Sequence, residues 1–279
     1  MIPEVAEYVG TDPVELDGFG DPRAYAGNGY VAKVGLPDSI ERERMALTLE
    51  SLPMPVPHVI DWDISWIVEE EIKDAGTEWS DEDLVAALEQ LAAMHDHFEE
   101  SAALESPVIR RPLGRDLNEL MSDARASGWV LPGELGEILK NPAPLIDVLR
   151  LGPQTLLHGD PWPFHLRRSG GEIFWLDWTQ ASIGPAAADL ASWLDQAPFH
   201  VGRPIDRLTQ INAYLEARQT ELDKSVFFAG LDSARLLWFL AYDVPNLPGL
   251  AEQSPDLAEK MNEEALRALE AFRNAASKV

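Results

Sequence analysis

Two short segments carry residue types able to do phosphate chemistry. In the first, Leu156-Leu157 runs into His158-Gly159-Asp160 and on through Pro161-Trp162-Pro163-Phe164-His165-Leu166. In the second, Ile173-Phe174-Trp175-Leu176 runs into Asp177-Trp178. Each apolar run reads as a strand that delivers an aspartate at its end. Ser169-Gly170-Gly171 reads as a turn that lets the second run pair back beside the first. Two carboxylates brought together in this way can share a metal–phosphate centre. One would position an attacking hydroxyl and accept its proton, while the other would hold Mg2+ across the nucleotide phosphates. Either aspartate alone also fits a turn cap, so the spaced pair, with a lysine upstream, is the informative pattern.

That lysine is Lys33, in Tyr30-Val31-Ala32-Lys33-Val34. Arg23-Ala24-Tyr25-Ala26 precedes it across Gly27-Asn28-Gly29, which is a hairpin signal. Strand alternation puts Val31 on the face of Lys33 and turns Tyr30, Ala32 and Val34 the other way. Asp38 is expected to begin a helix, with Glu41 completing a capping box, and Pro53, Pro55 and Pro57 end it. Val59-Ile60 and Trp66-Ile67-Val68 read as two further strands, and Glu69-Glu70-Glu71 after them either as a nucleotide-facing connection or as a solvated run. Ahead of the hairpin, Gly18 and Gly20 in Asp17-Gly18-Phe19-Gly20-Asp21 would let backbone amides approach phosphates. An ordinary turn fits that stretch equally well.

The rest of the chain reads as mainly helical. Ser80 is an N-cap followed by Asp81, Glu82 and Asp83, with Leu84, Leu88, Leu91 and Met94 as the apolar face. Further helices are expected over 117–126, 133–140, 187–194, 205–215, 233–242 and 257–276. The chain holds 22 basic and 48 acidic residues in 279, a net charge of −26, which argues against nucleic acid or an anionic membrane as partner. A solvated acidic surface and an acidic cleft that gathers a polycation both fit that number. The absence of cysteine rules out disulfides and thiolate chemistry. With no long apolar run and no signal-type start, a cytoplasmic protein is the expectation.

His158-Gly159-Asp160, Leu176-Asp177-Trp178 and Gly184-Pro185-Ala186-Ala187-Ala188-Asp189-Leu190-Ala191 together resemble the aminoglycoside phosphotransferase and choline-kinase-like branch of the protein-kinase fold. The resemblance implies an α+β chain with a small N-terminal β-rich lobe containing one key helix (1–72) and a larger, mainly helical C-terminal lobe (73–279). It implies ATP and Mg2+ as cofactors, Asp160 as catalytic base and Asp177 as metal ligand. Lys33 would pair with a glutamate on the following helix; the family pattern selects Glu43, with Glu41 and Glu50 as rivals. Val31 would roof the adenine, and Asp189 would buttress the catalytic loop. The family's Asn five residues after the catalytic Asp is His165 here, which could meet either the metal or the phosphates.

The implied reaction is ATP-dependent phosphorylation of a hydroxyl on a small, cationic molecule such as an aminoglycoside or another antibiotic, by a monomer or homodimer. A choline, sugar or homoserine kinase, or a nucleotide-binding module with little turnover, are the alternatives. Trp193, Asp195, Glu216, Trp238, Tyr242 and Asp243 are the candidate acceptor contacts.

Overall fold

The computed structural model describes residues 3–16, 21–73, 78–99, 101 and 117–277. After a short helix α1 (Pro3–Val9), strand β1 (Val14–Glu15) leads to the hairpin of β2 (Arg23–Gly27) and β3 (Tyr30–Val34). Its turn sets Asn28 and Gly29 at φ 54° and 84°, the left-handed pair that an Asn-Gly hairpin favours. Strands β4 (Val59–Asp63) and β5 (Trp66–Glu70) complete an antiparallel sheet of order β1-β2-β3-β5-β4.

Alternation along β3 sorts the sheet's two faces as expected. Ala32 joins Trp66 and Val68 of β5 and Val5 and Val9 of α1 in one small apolar cluster. Helix α1 lies so close that a Cβ on Gly27 would collide with the carbonyl of Val9. Lys33 pairs across β3–β5 with Ile67, and Val31 pairs with Glu69, so these four share the opposite face.

Helix α2 (Pro37–Leu47) turns Ile40, Glu43, Ala46 and Leu47 inward, one stripe at helical spacing. It starts one residue earlier than the sequence suggests. Leu36 is the N-cap and Pro37 occupies the first turn, where its fixed φ suits a helix, so Asp38 falls inside that turn instead of capping it. Glu41 therefore completes no capping box and accepts two hydrogen bonds of 2.7 Å from Arg44.

The larger part begins with α3 (Asp81–Phe98), where the expected cap at Ser80 is a full capping box with Asp83. Helices α4 (Leu117–Ala126), α5 (Gly133–Lys140) and α6 (Ala143–Leu149) lead to four short strands. These are β6 (Gln154–Leu157), β7 (Leu166–Ser169), β8 (Glu172–Trp175) and β9 (Ser182–Pro185). Helices α7 (Ala187–Val201), α8 (Arg207–Ala217), α9 (Lys224–Trp238), a π-helical turn (Phe239–Asp243), α10 (Leu247–Gln253) and α11 (Pro255–Ala276) complete the chain.

Strand pairing corrects one expectation. β8 does fold back through Gly170-Gly171, but onto β7, while β6 pairs with β9. The loop after Asp160 runs through a 3-10 turn (Pro163–His165) into a strand of its own, and β8 takes that sequence neighbour. Both aspartates still emerge from this pair of ribbons. The late helix expected over 233–242 also starts earlier, because Asp223 caps it by accepting from the amides of Ser225 and Val226.

Candidate active site

Loop 158–165 is held from below by Asp189 in the first turn of α7. Its carboxylate accepts the backbone amide of His158 at 2.8 Å and that of Gly159 at 3.0 Å. His95 of α3 lies 3.2 Å from the same carboxylate through Nε2 and 2.7 Å from the Tyr214 hydroxyl through Nδ1. Arg218 in turn donates to the Tyr214 hydroxyl at 3.0 Å. Burial depresses the pKa of His95, so the ring is neutral and the directions are fixed. Arg218 donates to Tyr214, Tyr214 to His95, His95 to Asp189, and Asp189 accepts from the loop. Gly159 sits at φ 84°, and any Cβ there would meet the carbonyl of Gln180, so this position requires glycine.

His158 is fully buried, and burial together with the charge of His165 pushes its pKa down to about 4. Its neutral ring donates Nε2–H to the carbonyl of Leu176 at 2.9 Å, which ties the first loop to the segment that presents Asp177. Asp177 occupies the left-handed region at φ 60°, a strained setting for a non-glycine residue and one found at functional sites. Thr179 donates to its carboxylate at 2.8 Å. Burial works against ionisation, but the charges of Lys33 and His165 outweigh it and hold Asp177 at about 2.

His165 bridges the two aspartates. Its Nδ1 lies 2.8 Å from the carbonyl of Asp160, an oxygen that can only accept, so Nδ1 carries the hydrogen. Nε2 lies 3.4 Å from Asp177 Oδ2. A protonated ring would pair with that carboxylate, whereas a neutral ring would set two acceptors face to face at a spacing that suits a divalent cation held by both. Among the described residues no group of three or more His, Cys, Asp or Glu side chains converges as a metal cage. A cation held by this pair alone would leave positions open to phosphate and water.

Lys33 reaches across from β3 to hydrogen-bond Glu43 of α2. Glu43 is fully buried and also accepts the backbone amide of Trp178 at 3.1 Å, so one carboxylate joins the lysine to the Asp177 turn. Glu41 and Glu50, the rival partners, do not take this place. Burial works against the ammonium of Lys33, yet Glu43, Glu69 and Asp177 together shift its pKa upward. Burial pushes Glu43 upward too, with the charge of Glu69 adding to it. Val31 is half-buried on the same face, directly opposite Glu69. Gly18 and Gly20 lie outside the described residues.

Sequence reasoning missed two features. Glu69 is not part of a solvated run: it is 3% exposed, with Oε1 3.6 Å from Lys33 Nζ. Its parity with Ile67 along β5 was the available signal. The other feature is an aromatic group beside Asp160. Trp162 stacks on Phe164 at 5.2 Å, and His200 of α7 stands edge-on to both at 5.9 and 5.8 Å.

The candidate acceptor residues divide. Trp193 is buried core, donating to Gln210 at 3.0 Å, and Glu216 is exposed on α8. Asp195 is pinned between Arg207 at 3.1 Å and Arg235 at 3.3 Å. Trp238 donates to the carbonyl of Ala188 and packs at a tilt against the Tyr242 ring. Asp243 follows Tyr242, its pKa raised to about 7 by burial and the charge of Asp195.

The model of the phosphotransferase enzyme family, APH, matches residues 26–237 of the 279. This chain belongs to that family. It is a small-molecule kinase of protein-kinase-like fold, as the first motifs suggested. The solved structures it resembles share that fold at low identity. A choline/ethanolamine kinase family protein from Mesorhizobium loti is 17% identical, with 99% of this chain and 94% of that one covered, at a TM-score of 0.63. The amicoumacin kinase hAmiN, in complex with AMP-PNP, Ca2+ and Ami, is 14% identical over 94% and 91%, at 0.66. The gentamicin complex of APH(2'')-IIa is 15% identical over 96% of each chain, at 0.62. Comparison with the curated proteins gave no match. No helix among the described residues is long and apolar enough to cross a membrane.

Proposed function

We propose that this kinase transfers the γ-phosphate of ATP to a hydroxyl of a small, cationic molecule such as an aminoglycoside or another antibiotic. The observation that carries this reading is the junction at Glu43, which binds both Lys33 and the Trp178 amide. It sets an ammonium and the Asp177 carboxylate at one centre. Within it, Lys33 donates to the α- and β-phosphates, with residues 1–72 forming the nucleotide side and 73–279 the acceptor side. Asp160, its loop fixed by Asp189, orients the acceptor hydroxyl and takes its proton. Asp177 and His165 would hold a divalent cation, taken to be Mg2+, which would supply positive charge beside the phosphates. The AMP-PNP bound to the amicoumacin kinase and the gentamicin bound to APH(2'')-IIa support the same substrate classes. The net charge of −26 favours a cationic acceptor drawn in by long-range attraction.

The test is ADP release from ATP with Mg2+ or Mn2+ and a panel containing an aminoglycoside, amicoumacin, a macrolide, choline and a sugar. Turnover with a cationic antibiotic that disappears in Asp160→Asn, with ATP binding retained, supports the reading. Failure to bind ATP sinks it. His165 in the family's Asn position favours one second reading, a nucleotide-binding module with little turnover, which ATP binding without turnover on any acceptor would support.

A further inference from the structure

Lys33 is surrounded by one carboxylate more than its ion pair requires. Glu43 bonds it directly, and Glu69 Oε1 stands 3.6 Å from the same nitrogen, within ion-pair range but too far for a hydrogen bond. Both glutamates are buried, at 0% and 3% exposure, and Glu43 Oε2 and Glu69 Oε1 have no hydrogen-bond partner among the described residues. A buried carboxylate oxygen left this way is costly, and the chain tolerates it at the point where phosphate must arrive. Two carboxyl groups crowd one ammonium at that point, and burial together with the charge of Asp177 raises the pKa of each. Glu43 cannot leave, because it also holds the Trp178 amide. Glu69 makes no bond to the Asp177 turn among the described residues, and its strand places it on the cleft face beside Val31.

We propose that Glu69 is a positioning residue that holds Lys33 as a second anchor until nucleotide phosphates displace it, and so weakens and sets nucleotide affinity. This inference rests on the proposed use of ATP. An incoming phosphate oxygen takes the ammonium hydrogen directed toward Glu69, and Glu69 stays behind as a repulsive neighbour. Neutralising it removes that competition while leaving Glu43 and the Asp177 turn in place.

The experiment measures ADP and adenosine affinity by calorimetry, and kcat and KM for ATP, in wild type, Glu69→Gln and Glu69→Met. Both variants should bind ADP more tightly, by about three- to tenfold, since a charge removed next to the ammonium in a buried site acts at low screening. KM for ATP should fall in parallel with the tighter ADP binding, and adenosine, which lacks phosphate, should bind as before. Either variant suffices if the other does not fold. Unchanged or weaker ADP binding in a folded variant overturns the proposal, as does an equal shift for adenosine, which would mark a purely structural role. Wild type that binds no nucleotide overturns the ATP reading itself and this inference with it.

Discussion

His165 donates its Nδ1–H to the carbonyl of Asp160, and its other ring nitrogen consequently faces Asp177 across 3.4 Å. One side chain thus fixes the spacing between the loop that carries the proposed base and the carboxylate proposed to hold metal. An imidazole nitrogen is a softer ligand than the amide oxygen of asparagine and favours Mn2+ over Mg2+. His165→Asn should shift the preference toward Mg2+, and His165→Ala should lower Mn2+ affinity in the presence of ADP by about ten- to a hundredfold. Electron paramagnetic resonance titration of free Mn2+ reads both effects without requiring turnover. Equal Mn2+ affinity in all three proteins would remove His165 from the metal site.

Asp189 should matter to turnover without touching substrate. Both of its oxygens accept amides of the loop, and one also meets His95. Asp189→Asn replaces an acceptor with a donor and leaves a buried amide hydrogen facing another, at a cost of about 1–3 kcal/mol. The expected result is a lower melting temperature and a drop in kcat of at least tenfold, with ADP affinity close to wild type. A variant with normal kcat would show that the loop keeps its shape without this carboxylate.

The local chemistry was legible because it is written in consecutive residues. His158-Gly159-Asp160, the strand into Asp177, the hairpin parity of Lys33 and the Ser80 cap each depend on near neighbours, and the structure places them as their sequence suggests. What escaped depends on partners far along the chain. Glu69 looks like one of three equal glutamates until β3 pairs beside it and α2 covers it. The pairing of β6 with β9 spans the whole loop between them, and no local pattern announces it. The aromatic group of Trp162, Phe164 and His200 forms only because α7 packs against the loop. The start of α2 was misread for a different reason, since Pro37 and Asp38 both signal a helix start and the fixed φ of proline wins.

His158 should cost the fold stability in mild acid. His158 is neutral in the folded chain, with a pKa of about 4 set by burial and by the charge of His165. In the unfolded chain it takes a proton near pH 6.5. The unfolded state therefore binds more protons as pH falls from 6.5 toward 4, and the folded state loses about 2 kcal/mol by pH 5 from this residue. His95, also depressed by burial, pulls in the same direction. Asp177 contributes only below about pH 3.9, as its stabilisation is lost while pH falls toward 2. Asp243 acts with the opposite sign over the same range, so the comparison that isolates His158 is urea unfolding of wild type and His158→Asn at pH 7 and pH 5: the variant should lose less stability, or gain more, on going to pH 5. The same change with pH in both proteins would contradict a buried neutral His158.

Asp243 should behave with the opposite sign. Burial and the nearby charge of Asp195 raise its folded pKa to about 7, against about 3.9 for an unfolded aspartate. Between these values the folded state keeps a proton that the unfolded state has released, so stability from this residue is greatest in acid and falls as pH rises to 7. Above pH 7 the folded chain carries a charge in a poorly solvated place, beside an aspartate already occupied by Arg207 and Arg235. Asparagine has the same shape and never ionises. Asp243→Asn should therefore stabilise the protein at pH 8, by about 1–2 kcal/mol after allowing for partial exposure, and the gain should shrink on moving to pH 5. Melting temperatures of the two proteins at both pH values measure the difference of differences. A gain that is the same at pH 8 and pH 5 would mean that packing, and not the charge facing Asp195, sets the cost of this residue.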